Sequence, residues 1–200
     1  ALRQALERDE FEVYYQPRMN LRSMEMTGME ALLRWTHPQL GAVSPAQFIP
    51  LAEEIGLISD IGNWVLQRAT TQAAQWSACY GRPLKVSVNL SARQLRSRTL
   101  VPLVEHALLS SGLPANQLEL ELTESGLMED PELAAALLNE LKALGLKLSV
   151  DDFGTGYSSL AYLCRFPLDS LKLDRSFLLQ QQPEAVSTLK LAEAIINLAH

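Results

Sequence analysis

Apolar and polar residues alternate in three well-separated stretches of this chain. Val86-Ser87-Val88-Asn89-Leu90-Ser91 sets valines and a leucine against Ser87, Asn89 and Ser91. Residues 118–124 set leucines against Glu119, Glu121 and Thr123, and Ser170-Leu171-Lys172-Leu173-Asp174 repeats the pattern. A period of two belongs to a strand, whose side chains point to opposite faces in turn. Asn89, Glu121 and Lys172 are therefore each expected opposite an aliphatic row. A fourth short apolar run, 146–150, ends in the pair Asp151-Asp152. Helical spacing of apolar residues predicts helices over 101–110, 132–144 and 157–163 between these strands. Strands alternating with helices predict βαβ units and a parallel sheet. A sheet covered by helices is ordinarily apolar on both faces. A polar face on one strand after another fits a barrel whose inner face carries chemistry.

The first eighty residues are less regular. Residues 11–17 read as a strand ended by Pro17, and 24–35 as a second strand in which Gly28 permits a bulge. Residues 36–45 read as a loop with His37-Pro38, Gly41 and Ser44-Pro45. A helix starts over 48–54, a longer one covers 58–80, and Gly81-Arg82-Pro83 breaks it. The expected fold class is α/β, a barrel of parallel strands with an irregular first strand. A complete barrel of this kind needs about 250 residues, so its last strand or two, with their helices, are expected beyond His200.

The chemistry collects at strand ends. Asp151-Asp152-Phe153-Gly154-Thr155-Gly156 places two carboxylates beside a glycine loop, where α/β barrels keep their active sites. Taken alone, the aspartates could simply start a turn and cap a helix. The recurrence of polar strand ends favours a site. Glu30, Asn89, Glu121, Asp151 and Asp152 are the candidate ligands, and all of them offer oxygen. Oxygen-only ligation suits Mg²⁺, Mn²⁺ or Ca²⁺ rather than Zn²⁺. Four or five such groups exceed what one Mg²⁺ takes from protein, which points to a pair of ions. Paired ions drive in-line attack of water on phosphodiesters. Lys172 could orient the hydroxide, and Arg34 could fork onto a phosphate. Trp35, Trp64 and Trp76 read as packing residues, and Glu129, Asp130 and Glu132 as a helix N-terminus.

Composition narrows the classes. The 200 residues are 48% hydrophobic and 20% charged, ordinary for a single globular domain. The net charge of −6 argues against a polymeric nucleic-acid partner. No apolar run is long enough to insert in a membrane. Cys79 and Cys164 fit no metal or redox spacing and are expected to be reduced core residues of a cytosolic protein. Ala1 is not an initiating Met, so sequence upstream is expected.

Several motifs together resemble the EAL domain family. They are Tyr15-Gln16-Pro17, the signature Glu30-Ala31-Leu32-Leu33-Arg34-Trp35, Pro45 with Phe48-Ile49-Pro50, and Asn89-Leu90-Ser91. Glu121-Leu122-Thr123-Glu124-Ser125, the 151–160 loop and Leu171-Lys172-Leu173-Asp174-Arg175-Ser176-Phe177 complete the set. The resemblance covers nearly the whole of residues 1–200. It implies a modified TIM (β/α)8 barrel and, in function, a bacterial, cytoplasmic phosphodiesterase that hydrolyses the second messenger cyclic di-GMP to linear 5′-pGpG with Mg²⁺ or Mn²⁺. The alternative within the family is a receptor that holds cyclic di-GMP without cutting it. Carried over residue by residue, Glu30, Asn89, Glu121, Asp151 and Asp152 bind metal. Lys172 assists the nucleophilic water. Gln16 and Arg34 contact the dinucleotide, and Glu124 tethers the 151–160 loop. That loop also implies a homodimer interface. Upstream GGDEF or sensor domains, which could tether the protein to a membrane, fit the family pattern. A further metal-site Glu and a Gln-Gly pair belong to the part expected beyond His200.

Overall fold

The computed structural model describes residues 2–153 and 165–174. A short helix α1 (Leu2–Ala5) leads into β1 (Phe11–Met19) and β2 (Met26–His37), and β3 (Gly41–Val43) follows. Next come α2 (Pro45–Glu54), α3 (Ile58–Tyr80), β4 (Lys85–Leu90), α4 (Ala92–Leu95) and α5 (Leu100–Ser111). A 3-10 turn at Ala115–Gln117 precedes β5 (Leu118–Thr123), α6 (Glu124–Met128) and α7 (Pro131–Ala143). The last described elements are β6 (Lys147–Phe153) and β7 (Ser170–Leu173). The strands form one sheet in the order β1-β2-β4-β5-β6-β7, with β3 beside β2. β1 and β3 run antiparallel to β2, and every later pairing is parallel.

The sheet curls. In a flat sheet, β2 and β7 would be separated by four steps of ~4.8 Å, or ~19 Å. Lys172 on β7 nevertheless lies 3.2 Å from Glu30 on β2. Only a barrel-like curvature brings these side chains together. The outward rows of the strands, Val86, Val88, Leu90, Leu118, Leu120, Leu122, Leu148 and Val150, are buried under the helices. α3 ends where its periodicity does. Gly81 takes φ 63°, a left-handed conformation that accommodates glycine without strain. Asp130 caps α7 by accepting from Leu133 N–H at 3.1 Å, with Pro131 in the first turn.

Five expectations need correction. β1 does not end at Pro17 but runs to Met19. Among the described residues it pairs only with β2, so a proline lacking N–H is tolerated there. The irregularity in that hairpin falls between Arg18 and Met19, not at Gly28. Gly28 instead admits a close strand approach: a Cβ there would lie 3.0 Å from the Lys85 carbonyl oxygen. The segment read as a loop holds the end of β2 and all of β3. The strand expected over 146–150 continues through both aspartates to Phe153. Cys79 is exposed rather than part of the core. Cys164 and the helix expected over 157–163 lie outside the described residues, as does 154–160 of the glycine loop.

Candidate active site

The inward row of each strand is polar, and its upper members meet. β2 supplies Glu30, β4 Asn89, β5 Glu121, β6 Asp151 and β7 Lys172. Lys172 Nζ lies 2.6 Å from Glu121 Oε2, 2.9 Å from Asp151 Oδ2 and 3.2 Å from Glu30 Oε2. An ammonium has three protons, and here each has a carboxylate acceptor. Asn89 Nδ2 donates to Glu30 Oε1 at 3.1 Å. Glu30, Glu121 and Asp151 each offer an oxygen, and the three lie within 4.8 Å of one another. Three carboxylates against one ammonium leave a surplus of two negative charges when all are ionised. That charge and an all-oxygen donor set suit a hard divalent cation.

The electrostatics follow from burial. The Glu121 side chain is fully enclosed. Loss of solvent pushes its carboxyl above the usual range, the Glu30 charge adds to this, and the Lys172 bond and charge pull it back. Burial pulls the Lys172 ammonium down, but Glu121, Asp151 and Glu30 outweigh it, so the net shift is upward and the lysine stays charged.

Asp152 is not among the three clustered carboxylates. It is exposed, takes φ 54°, and its backbone N–H donates to Asp151 Oδ1 at 2.9 Å. Partial burial and the charges of Asp151 and Asp174 raise its carboxyl, and Lys172 opposes them. Gln16 is exposed on β1, directly across from Glu30 in the hairpin register, and so on the same face. Arg34 lies four residues beyond Glu30. Its Nη1 donates to Leu33 O at 2.9 Å, and its guanidinium sits 5.6 Å from the centre of the Tyr14 ring. Arg34 and Asn89 both line a groove of about 510 Å³ whose apolar side includes Leu32, Pro45 and Ile49. The groove therefore meets the carboxylate cluster at Asn89. Glu124 is buried at the first turn of α6, apart from the clustered trio.

Two residues of the inner face were not singled out from the sequence. Arg18 Nη1 lies 3.0 Å from Glu119 Oε1 and 3.4 Å from Glu121 Oε1. The signal was present: Glu119 and Glu121 share a face of β5, and Arg18 shares the face of Gln16 on β1. A buried pair of acids calls for a cation.

Known proteins show what the chain resembles. NbdA of Pseudomonas aeruginosa, named a cyclic di-GMP phosphodiesterase, is 46% identical over 198 residues, 99% of this chain and 25% of its own length. PdeR of Escherichia coli, also named a cyclic di-GMP phosphodiesterase, is 41% identical over 97% of this chain and 29% of its own length. The chain thus spans only about a quarter of these relatives. Among solved structures, the PaMucR phosphodiesterase in complex with c-di-GMP superposes with a TM-score of 0.93 at 45% identity, covering 98% of this chain and 79% of that one. The FimX EAL domain from Pseudomonas aeruginosa bound to c-di-GMP gives 0.85 at 28% identity, covering 98% and 78%. Residues 1–200 match the family described as the EAL domain, and the chain belongs to it.

Proposed function

We propose that this domain hydrolyses cyclic di-GMP to linear 5′-pGpG, as the phosphodiesterase part of a longer signalling protein. The observation that carries this reading is the meeting of Glu30, Glu121 and Asp151 around Lys172, with Asn89 joining them to the groove. Glu30, Asn89, Glu121 and Asp151 would hold Mg²⁺ or Mn²⁺, and Asp152 stands next in the chain to serve a second ion. A bound divalent cation supplies an acidified water and draws charge from the phosphate oxygens. Lys172, kept charged by its three carboxylates, stabilises a hydroxide and the developing phosphorane charge. Arg34 at the groove and Gln16 across the hairpin from Glu30 hold the dinucleotide, and a guanidinium can fork onto a phosphate. We further propose that Glu124 tethers the loop after β6 and that the protein forms a homodimer through that region, whose residues 154–160 lie outside the described ones. The receptor reading is disfavoured because Glu30, Asn89, Glu121, Asp151, Asp152 and Lys172 are all present. Supporting context comes from MucR of Pseudomonas aeruginosa, named a bifunctional diguanylate cyclase/cyclic di-GMP phosphodiesterase, which is 48% identical over 88% of this chain.

The test is turnover. The full-length protein incubated with cyclic di-GMP and Mg²⁺ or Mn²⁺ should release pGpG, resolved by ion-pair chromatography, and Glu30→Ala should abolish it. Binding of cyclic di-GMP without turnover would promote the receptor reading, and turnover surviving Glu30→Ala would overturn the metal assignment.

A further inference from the structure

Below the carboxylate cluster, Arg18 crosses the inner face from β1 to β5. β2 and β4 lie between those strands, and they present Gly28 and Ser87 there, with the exposed Lys85 lining the same cavity. Gly28 stands opposite Arg18 in the hairpin register and has no side chain. Ser87, on the neighbouring strand, is buried and short. Arg18, Gly28, Ser87 and Glu119 together line a cavity of about 80 Å³. Along this lane the guanidinium reaches Glu119 first, at 3.0 Å, and then Glu121, at 3.4 Å.

The consequence falls on Glu121. Its Oε1 faces Arg18, while its Oε2 faces Lys172 at 2.6 Å. A carboxylate held at one oxygen cannot turn freely about its last torsion, so the other oxygen keeps a fixed direction. Groups that orient a ligand in this way are worth 10- to 100-fold in metal affinity, as a rough scale. Glu119 accepts from the same Nη1 at 3.0 Å, so the guanidinium is itself held.

We infer that Arg18 is a positioning residue, which pins Glu121 Oε1 from beneath so that Oε2 is presented to a divalent cation held with Glu30 and Asp151. This rests on the metal-dependent reading above. The bland alternative is a structural ion pair that merely fills the floor of the sheet.

The two separate by experiment on the full-length protein. Mn²⁺ is titrated without nucleotide for the unaltered protein, Arg18→Met, Arg18→Gln and Arg18→Lys, alongside thermal midpoints and steady-state kinetics. Arg18→Met and Arg18→Gln are expected to weaken Mn²⁺ binding about 10-fold. At limiting Mn²⁺ they should lower kcat and leave KM for cyclic di-GMP within about twofold. Arg18→Lys, which keeps a cation in the lane, should recover most of the affinity. Unchanged or tighter Mn²⁺ binding in both cationless variants would overturn the assignment, even if their midpoints fall. Failure of both to fold would make Arg18 structural and overturn it too. If the unaltered protein takes up no Mn²⁺, the metal reading fails and takes this inference with it. A protein that binds Mn²⁺ equally well with and without Arg18 defeats the inference alone.

Discussion

Lys172 is the common donor to three acids on three other strands. Its removal leaves Glu30, Glu121 and Asp151 to repel one another in a partly enclosed space. Lys172→Met is therefore expected to cost about 2–3 kcal/mol in urea denaturation with chelator present. Added Mn²⁺ should return part of that loss, because a cation can replace the missing charge. Activity should remain absent with the ion restored, since no ammonium is left to face the hydroxide. An unchanged urea midpoint in chelator would contradict the geometry. These residues were legible one by one, because strand alternation is fixed by covalent geometry and showed which side chains share a face. Arg18 was passed over: the shared face of Glu119 and Glu121 signalled a missing cation, but these partners lie on a strand three places away in the sheet and nothing local to Gln16-Pro17-Arg18 names them. Asp152 followed the motif as a ligand candidate. The left-handed turn that sets it apart from Asp151 is a backbone property that two adjacent aspartates do not reveal.

Among the elements, β6 and β7 are joined by a clamp built on Asp169. Its carboxylate accepts from Lys142 of α7 at 2.7 Å, from Lys147 of β6 at 2.8 Å and from Leu148 N–H at 2.9 Å. Partial burial raises this carboxyl, but the bonds from Lys142, Lys147 and Leu148 outweigh it, and the net shift is downward. A carboxyl lowered in the fold contributes stability above its unfolded value, near 4, and loses it as pH falls through the folded value. Asp169→Asn should thus cost about 1–2 kcal/mol at pH 7. The gap to the unaltered protein should close as pH drops below 4, as read from urea midpoints at several pH values. A gap that persists at low pH would mean that shape rather than charge sustains the clamp. The β2–β4 seam offers a second test. Gly28→Val would drive a side chain into the Lys85 backbone, forcing apart the strands that carry Glu30 and Asn89. A loss of about 1–3 kcal/mol and a larger fall in turnover are expected. The long helix and the four later strands were readable from periodicity. α4 and α6, of four and five residues, were not, because they are too short to show a repeat. β3 was missed for the same reason.

For the molecule as a whole, a cation held at the trio would tie β2, β5 and β6 into one unit. Mn²⁺ should raise the thermal midpoint of the unaltered protein with concentration, as mass action requires of a ligand that binds only the folded state. Glu121→Gln should abolish most of the rise, and an equal rise in both would place the ion elsewhere. The α/β class and the parallel order were visible in the alternation of periods, whereas the curl was visible only through what it brings together. Among the described residues, no helix is long and apolar enough to cross a membrane. The contact between Lys172 and Glu30 spans 142 positions. During synthesis, Glu30 precedes the lysine that neutralises it by 142 positions, Glu121 by 51 and Asp151 by 21. A growing chain thus leaves these acids to the solvent until β7 emerges, and the side chains of four strands can meet only after most of the domain has been made.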